Sequence, residues 1–350
     1  MADGSIQGGV VSLTFDGEAL GQDIAAAVTG ATVEQRLNMP TACTIDIHPV
    51  DYDAESDRVM DLSGVDLGST LTVQMGFGNP KPLFSGQVAA LEPNLNATCR
   101  ELQIIGYDYL YALAFGTKVQ RFENVSDSAV ARQIITAAGL TPEVEDTEAI
   151  YPYVLQNNVS DYRFLLSRAM RISFELFAQD RTIVFRSGRA GEEETLSLEY
   201  GVTLTRFRAR MKALKQGGQV TRLGWDPQAK RAIVATVSSG PPSDRMGGTE
   251  TGYQASSVFG SSATAAPNAS ITDTQIAQSL AAGAFQNDLD GFMEGVAECP
   301  GNPAITPGIN VRLNNIGAKF SGPYYVVAAR HSYDINGGYT TRFEVRRTGI

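Results

Sequence analysis

Four cations on alternate positions, Arg206, Arg208, Arg210 and Lys212, form the densest run of chemistry-bearing side chains in the chain. Phe207, Ala209 and Met211 lie between them. A period of two puts the cations on one face of a strand and the apolar residues on the other. Like charges in a row repel unless water, acidic neighbours or a partner screens them. The strip therefore reads in two ways. It is either an exposed sheet face whose charge discourages edge pairing, or a docking strip for an acidic partner or subunit. Phosphate binding is opposed by the overall balance, 28 Lys+Arg against 38 Asp+Glu and a net charge of -10.

The remaining reactive types do not assemble into a motif. His48 and His331 are far apart in the sequence, and a metal site needs three or four convergent ligands. Both read as surface or strand-pairing histidines. Glu192, Glu193 and Glu194 run together, and Asp288 and Asp290 are close neighbours; a glycosidase or lytic enzyme works with such a carboxylate pair. Following Gly191, the three glutamates read as a solvated turn. The sequence holds no His-Glu-x-x-His, Gly-x-Ser-x-Gly, Cys-x-x-Cys or phosphate-loop pattern. No catalytic, cofactor-binding or metal-ligating residue is expected. Cys43, Cys99 and Cys299 are odd in number and widely spaced, which points to reduced, buried thiols.

Those side chains sit in a chain of 350 residues, 43% hydrophobic and 19% charged, enough for two or three globular domains. Its acidity opposes general binding to nucleic acid or anionic membranes. The opening Met-Ala-Asp-Gly-Ser has no basic or apolar leader character, and no apolar run approaches the ~20 residues that span a bilayer. A protein made and folded in a cytoplasm is expected.

Residues 1–115 read as antiparallel strands. Val11, Leu13 and Phe15, then Cys43, Ile45 and Ile47, then Leu71, Val73, Met75 and Phe77 each alternate with polar neighbours. This pattern predicts a small β-barrel. Residues 116–200 predict an α/β module. In it Ser126 caps one helix that Gly139 ends, Ser160 caps a second, and Phe174–Ala178 with Thr182–Arg186 form a hairpin around Asp180. Strands resume over 201–238 and 296–350 as a second barrel. The segment 239–295 is an insertion, with a flexible Gly/Ser/Pro/Ala-rich loop to about 270 and then a helix that Thr272 and Gln275 would cap.

An internal repeat supports two barrels. Gly68-x-x-Leu71-x-Val73 is echoed by Gly308-x-x-Val311-x-Leu313, Phe84-Ser85-Gly86 by Phe320-Ser321-Gly322, and the strand Leu102–Ile105 by Phe343–Arg346. The predicted fold class is mainly β, with two similar small barrels in tandem and two peripheral α/β modules.

Several of these residues also carry a resemblance. Ser160-Asp161-Tyr162-Arg163-Phe164-Leu165, Ile172-Ser173-Phe174-Glu175-Leu176 and the hairpin to Phe185 resemble the phage late control D family. So do Gly301-Asn302-Pro303-Ala304-Ile305, Pro307-Gly308, Phe320-Ser321-Gly322-Pro323-Tyr324-Tyr325-Val326, His331 and Phe343-Glu344. The likeness covers nearly the whole chain and extends to the hub part of the type VI secretion spike protein. It implies a non-enzymatic baseplate hub of a contractile tail, a homotrimer joining a hexameric tail tube to a trimeric central spike. The implied partners are the tube protein, the spike and other baseplate (wedge) proteins. DNA or cargo would pass along the axis without specific binding, and no membrane insertion or cofactor is implied. The implied location is the virion tail or an injection particle. With no needle module before Ile350, a spike on a separate chain is expected. The rival readings are a tail-associated peptidoglycan-degrading lysin, which a convergent acid pair in a cleft would favour, and a peripheral receptor-binding protein.

Overall fold

The computed structural model describes residues 9–48, 65–95, 100–214, 218–240, 242–260, 263–268 and 271–350. The fold is mainly β. The amino-terminal strands are β1 (Gly9–Phe15), β2 (Glu18–Ala19), β3 (Val28–Arg36), β4 (Ala42–Ile47), β5 (Thr70–Phe77), β6 (Lys81–Leu95) and β7 (Arg100–Tyr107). Their alternation buries one face: Leu13, Val33, Ile45, Val73 and Ile104 share one core.

Next comes the α/β module. It holds β8 (Lys118–Ser126), α1 (Asp127–Ala137), β9 (Thr141–Val144), β10 (Ile150–Val159), α2 (Asp161–Arg171), β11 (Phe174–Gln179) and β12 (Thr182–Ser187). The expected caps form: the Ser126 and Ser160 hydroxyls accept from the backbone N–H groups of Ala129 and Arg163. Gly139 takes φ +72°, the left-handed conformation that ends a helix. Asp180, at φ +53°, turns the β11–β12 hairpin.

The rest of the chain adds β13 (Glu194–Glu199), β14 (Arg206–Met211), β15 (Gln219–Asp226), β16 (Arg231–Val237), α3 (Gly252–Ser256), β17 (Ala263–Pro267), α4 (Thr274–Leu289), β18 (Met293–Pro300), β19 (Asn310–Asn314), β20 (Gly322–Asp334) and β21 (Gly338–Arg347). β13, β14 and β18–β21 enclose a second core around Leu204, Met293, Val311, Tyr324 and Phe343.

Three expectations are corrected here. β15 and β16, expected in the second barrel, pair with β17 in a separate sheet, and Ile233 and Ala235 pack with α4 against the α/β module. The helix expected from Thr272 is capped instead by Asp273, whose carboxylate accepts from Gln275 and Ile276 N–H. The capping box belongs to Thr251 and Gln254 at α3. The described part of 239–270, expected as a flexible loop, carries α3 and β17 and packs against the rest of the chain over Asp244–Tyr253. Met246 and Tyr253 are buried, and the N–H groups of Thr249 and Glu250 donate to Ile350 O at 2.8 and 3.0 Å. Its glycines permit close approach: a Cβ on Gly252 would collide with Phe292. Small residues here pack rather than loosen.

The repeat is present in the hydrogen bonding. The order β3-β4-β7-β6-β5-β1 in the first half matches β14-β18-β21-β20-β19-β13 in the second. Gly68 N–H donates to Val88 O at 2.8 Å, and Gly308 N–H to Val326 O at 2.9 Å, with φ of +91° and +87°. Both long strands then shift register, at Val88/Ala90 and at Val326/Ala328. These matches make Gly322, opposite Leu313, the counterpart of Phe84, opposite Val73. The two Phe-Ser-Gly tripeptides are therefore not equivalent, and lie two residues out of step. The halves also differ at one edge, since β1 runs antiparallel to β5 whereas β13 runs parallel to β19.

The two halves are one sheet. β20 pairs with β3 over Ala328–Asp334, which links them into a continuous 13-stranded sheet. No ring of strand pairings closes among the described residues, so the separate closed barrels expected from sequence are replaced there by one open sheet.

Candidate functional site

The polar face of that sheet is where the sequence-marked cations lie. β14 is an end strand, paired only with β18 among the described residues. Arg206, Arg208 and Arg210 are exposed, with Phe207 and Met211 turned to the second core. Acidic residues on β18 screen part of the strip: Arg206 lies 3.8 Å from Glu298, and Lys212 lies 3.4 Å from Glu294. Arg208 and Arg210 make no ion pair among the described residues.

Alternating charge continues strand by strand. Arg342 on β21 meets Glu298 at 3.3 Å, and Glu344 meets Arg36 on β3 at 2.6 Å. Arg330 on β20 reaches Glu34 on β3 at 3.2 Å. A groove of about 760 Å³ runs along this face, lined by Arg36, Arg208, Arg210, Glu294, Glu344 and Arg346 among others. Exposed pairs of this kind contribute only ~0–1 kcal/mol each. Their concentration marks a wet face of mixed sign.

Below this face a buried ionic cluster locks the α/β module to the sheet. Glu175 on β11 accepts from the Tyr325 hydroxyl of β20 at 2.8 Å, with Arg346 at 3.6 Å and Arg186 at 3.8 Å. Arg346 also pairs with Asp290, just after α4, at 2.8 Å. Burial pushes the Glu175 and Asp290 carboxyls up, and the Arg346 guanidinium opposes it in both cases. Nearby, Asn38 (φ +65°) accepts from Leu176 N–H at 2.8 Å, while Tyr162 donates to Asn38 O at 2.8 Å.

The other sequence-marked residues go elsewhere. His331, expected at the surface or in strand pairing, is fully buried on β20. Its Nδ1 lies 2.8 Å from the Tyr339 hydroxyl and its Nε2 lies 3.0 Å from Ile305 O. Burial lowers its pKa to about 4, so the ring is neutral at pH 7. His48 sits 3.2 Å from Glu101 on the same side as the charged face. Glu192 pairs with Arg189 at 3.1 Å and Glu194 with Arg312 at 2.6 Å, while Asp288 accepts from the Tyr253 hydroxyl at 3.0 Å. No hydrogen bond or ion pair joins the two acidic groups among the described residues. Cys43 and Cys299 are buried free thiols; burial pushes both up, Cys299 to about 12. Cys99 falls outside the described residues.

Sequence reasoning missed Glu175, Arg346 and Tyr325 as a cluster, since the contacts of Glu175 with Tyr325 and Arg346 join segments about half the chain apart. It also passed over Glu92, whose only signal was the polar alternation Glu92, Asn94 on β6.

This fold has known counterparts. Residues 7–334 match the family model described as Alg8 N-terminal domain, and the chain belongs to that family. No curated protein matches the sequence. Among solved structures, the 43 kDa tail protein of prophage MuSo2 from Shewanella oneidensis superposes with a TM-score of 0.71 at 15% identity, covering 97% of this chain and 98% of that one. A tail protein from Neisseria meningitidis MC58 gives 0.68 at 10% identity, with 97% of each chain covered. An Escherichia coli component of the type VI secretion system, described as structurally similar to T4 bacteriophage tail proteins, gives 0.58 at 11% identity over 95% of this chain and 76% of that one. The chain thus has the tail-protein fold along almost its whole length. Among the described residues no helix is long and apolar enough to cross a membrane.

Proposed function

We propose that the protein is a structural baseplate hub, a homotrimeric adaptor between a hexameric tail tube and a trimeric central spike. One observation carries this reading. A tail-protein fold holds the same β unit twice in one chain, hydrogen-bonded into a single sheet. Three copies then present six like units, which is what a three-to-six adaptor needs. The two β units and two peripheral modules divide the labour: the units build the ring and the modules face the surrounding baseplate. The mixed-sign polar face suits passage of DNA or cargo without tight binding, because neither sign dominates it. The role is non-enzymatic, and four of the carboxylates named for a lysin are engaged: Asp290 with Arg346, Glu194 with Arg312, Glu192 with Arg189 and Asp288 with the Tyr253 hydroxyl.

Light scattering on the purified protein, followed by single-particle imaging with tube and spike proteins, tests the proposal. Three copies and six β units around one axis are expected. A monomer or dimer in the assembled particle overturns it.

A further inference from the structure

The internal repeat leaves one pairing unmade. Within the chain, β3 of the first half pairs with the second part of β20, placing Glu34 opposite Arg330 and Arg36 opposite Ala328. The counterpart of β3 is β14, and the counterpart of β20 is β6. The same pairing transferred by the repeat joins β14 to Ala90–Leu95, and both edges are open among the described residues.

We infer that the open edge of β14 pairs antiparallel with the Ala90–Leu95 edge of β6 in a second copy of this chain. The inference rests on the hub reading and names the surface that closes its ring. Transferring the β3–β20 register sets Arg210 opposite Glu92, Arg208 opposite Asn94, and Phe207 opposite Leu95.

Three features support that occupant. The first is charge. The ion pair Glu34–Arg330 recurs as Arg210–Glu92 with its signs exchanged, and Glu92 and Arg210 each lack an ion pair among the described residues. Wrong pairings are penalised: β14 against another β14 sets arginine against arginine, and β14 in the place of β3 sets Arg210 against Arg330. The second is apolar matching. Leu95 is 62% exposed on its own chain, and the register lays it against Phe207, with Leu91 against Met211. The third is closure. The contact joins unlike edges, so each added copy leaves one of each edge open until the ring shuts.

Pro93 tunes this edge. By the alternation of the β4–β7–β6 ladder, Leu91, Pro93 and Leu95 turn their main-chain groups to the open side. Pro93 has no N–H, so the strand accepts a partner at two full positions and one half position. A proline at an edge deters indiscriminate strand addition, which leaves the side-chain match to select the partner.

The test uses the full chain carrying Asn94→Cys and Arg208→Cys together. These positions form a non-hydrogen-bonded antiparallel pair, with Cα atoms ~4.5 Å apart, which a disulfide spans. On oxidation, species of two and three linked chains are expected on a non-reducing gel, and each single variant should run as one chain. Arg206→Cys in place of Arg208→Cys is two residues out of register and should link poorly. A charge reversal gives an independent readout. Arg210→Glu or Glu92→Arg alone should weaken self-association roughly tenfold or more, and the double exchange should restore it to within about twofold. Three-copy assembly by mass with no in-register cross-link and no rescue overturns the edge pairing and leaves the hub reading standing. A single chain under every condition overturns both.

Discussion

At the residue scale, two buried polar groups set measurable energies. Arg168 on α2 pairs with Asp127 at the start of α1, both almost wholly buried, and its guanidinium stacks 4.3 Å from the Tyr151 ring centroid. Removing one partner of a buried pair strands the other charge. Arg168→Ala should therefore cost about 3–5 kcal/mol, read as a lowered urea midpoint. His331 gives a pH signature. Its folded-state pKa is depressed from 6.5 to about 4, so the folded protein binds fewer protons than the unfolded chain between those values. Its stabilising contribution is complete above pH 6.5 and is lost as pH falls toward 4. At ~1.4 kcal/mol per unit the loss is up to about 3 kcal/mol. In His331→Gln, the fall in stability between pH 7 and pH 5 should be shallower than in the wild-type protein. An unchanged slope would assign the acid sensitivity to other groups.

At the element scale, the two halves should respond alike to the same lesion. Gly68 and Gly308 hold matching positions with φ near +90° and donate the matching hydrogen bond into β6 and β20. A Cβ is disfavoured in that backbone region at each, so Gly68→Ala and Gly308→Ala should each destabilise by about 1–2 kcal/mol. A large cost at one position and none at the other would break the equivalence on which the transferred register stands. The docking of the module onto the sheet belongs to the same scale. Tyr325→Phe leaves Glu175 without its hydroxyl donor, and a hydrogen bond to a charged group is worth ~1.5–3 kcal/mol. Near-neutral unfolding energetics in that variant would mean that Arg346 and Arg186 suffice to hold the carboxylate.

At the scale of the whole molecule, duplication within one continuous sheet turns a local ladder into an assembly rule. Because β3 already meets β20 inside the chain, the copy-to-copy contact needs no new geometry, only the unmatched edges of β14 and β6. The exposed charges follow from this. A long bare strand edge is an aggregation hazard, and the cations on β14 bar self-pairing while admitting an acidic strand. High salt should weaken ring assembly in the unmutated protein, since ~1 M salt screens beyond ~3 Å. Association measured by light scattering across a salt series should therefore fall, and a flat response would assign the contact to its apolar pairs alone.

What the sequence by itself determined was local and periodic. Alternation named the strands, Ser126 and Ser160 named two helix starts, and the spacing from Gly68 to Val73 and from Gly308 to Leu313 disclosed the duplication. Each of these depends on residues within a turn or a strand of one another. Around Gly248 and Gly252 composition misled: whether glycine loosens a chain or lets it pack depends on what lies across from it, here Ile350 and Phe292. Tertiary structure alone decided that His331 is buried, that β15 and β16 leave the second unit for α4, and that the two Phe-Ser-Gly tripeptides are out of step. It also decided that β14 and the Ala90–Leu95 part of β6 present open edges among the described residues. Strand partners are chosen by backbone groups every residue carries and by burial summed over distant segments, so the order of strands in a sheet is written in no single stretch of the chain.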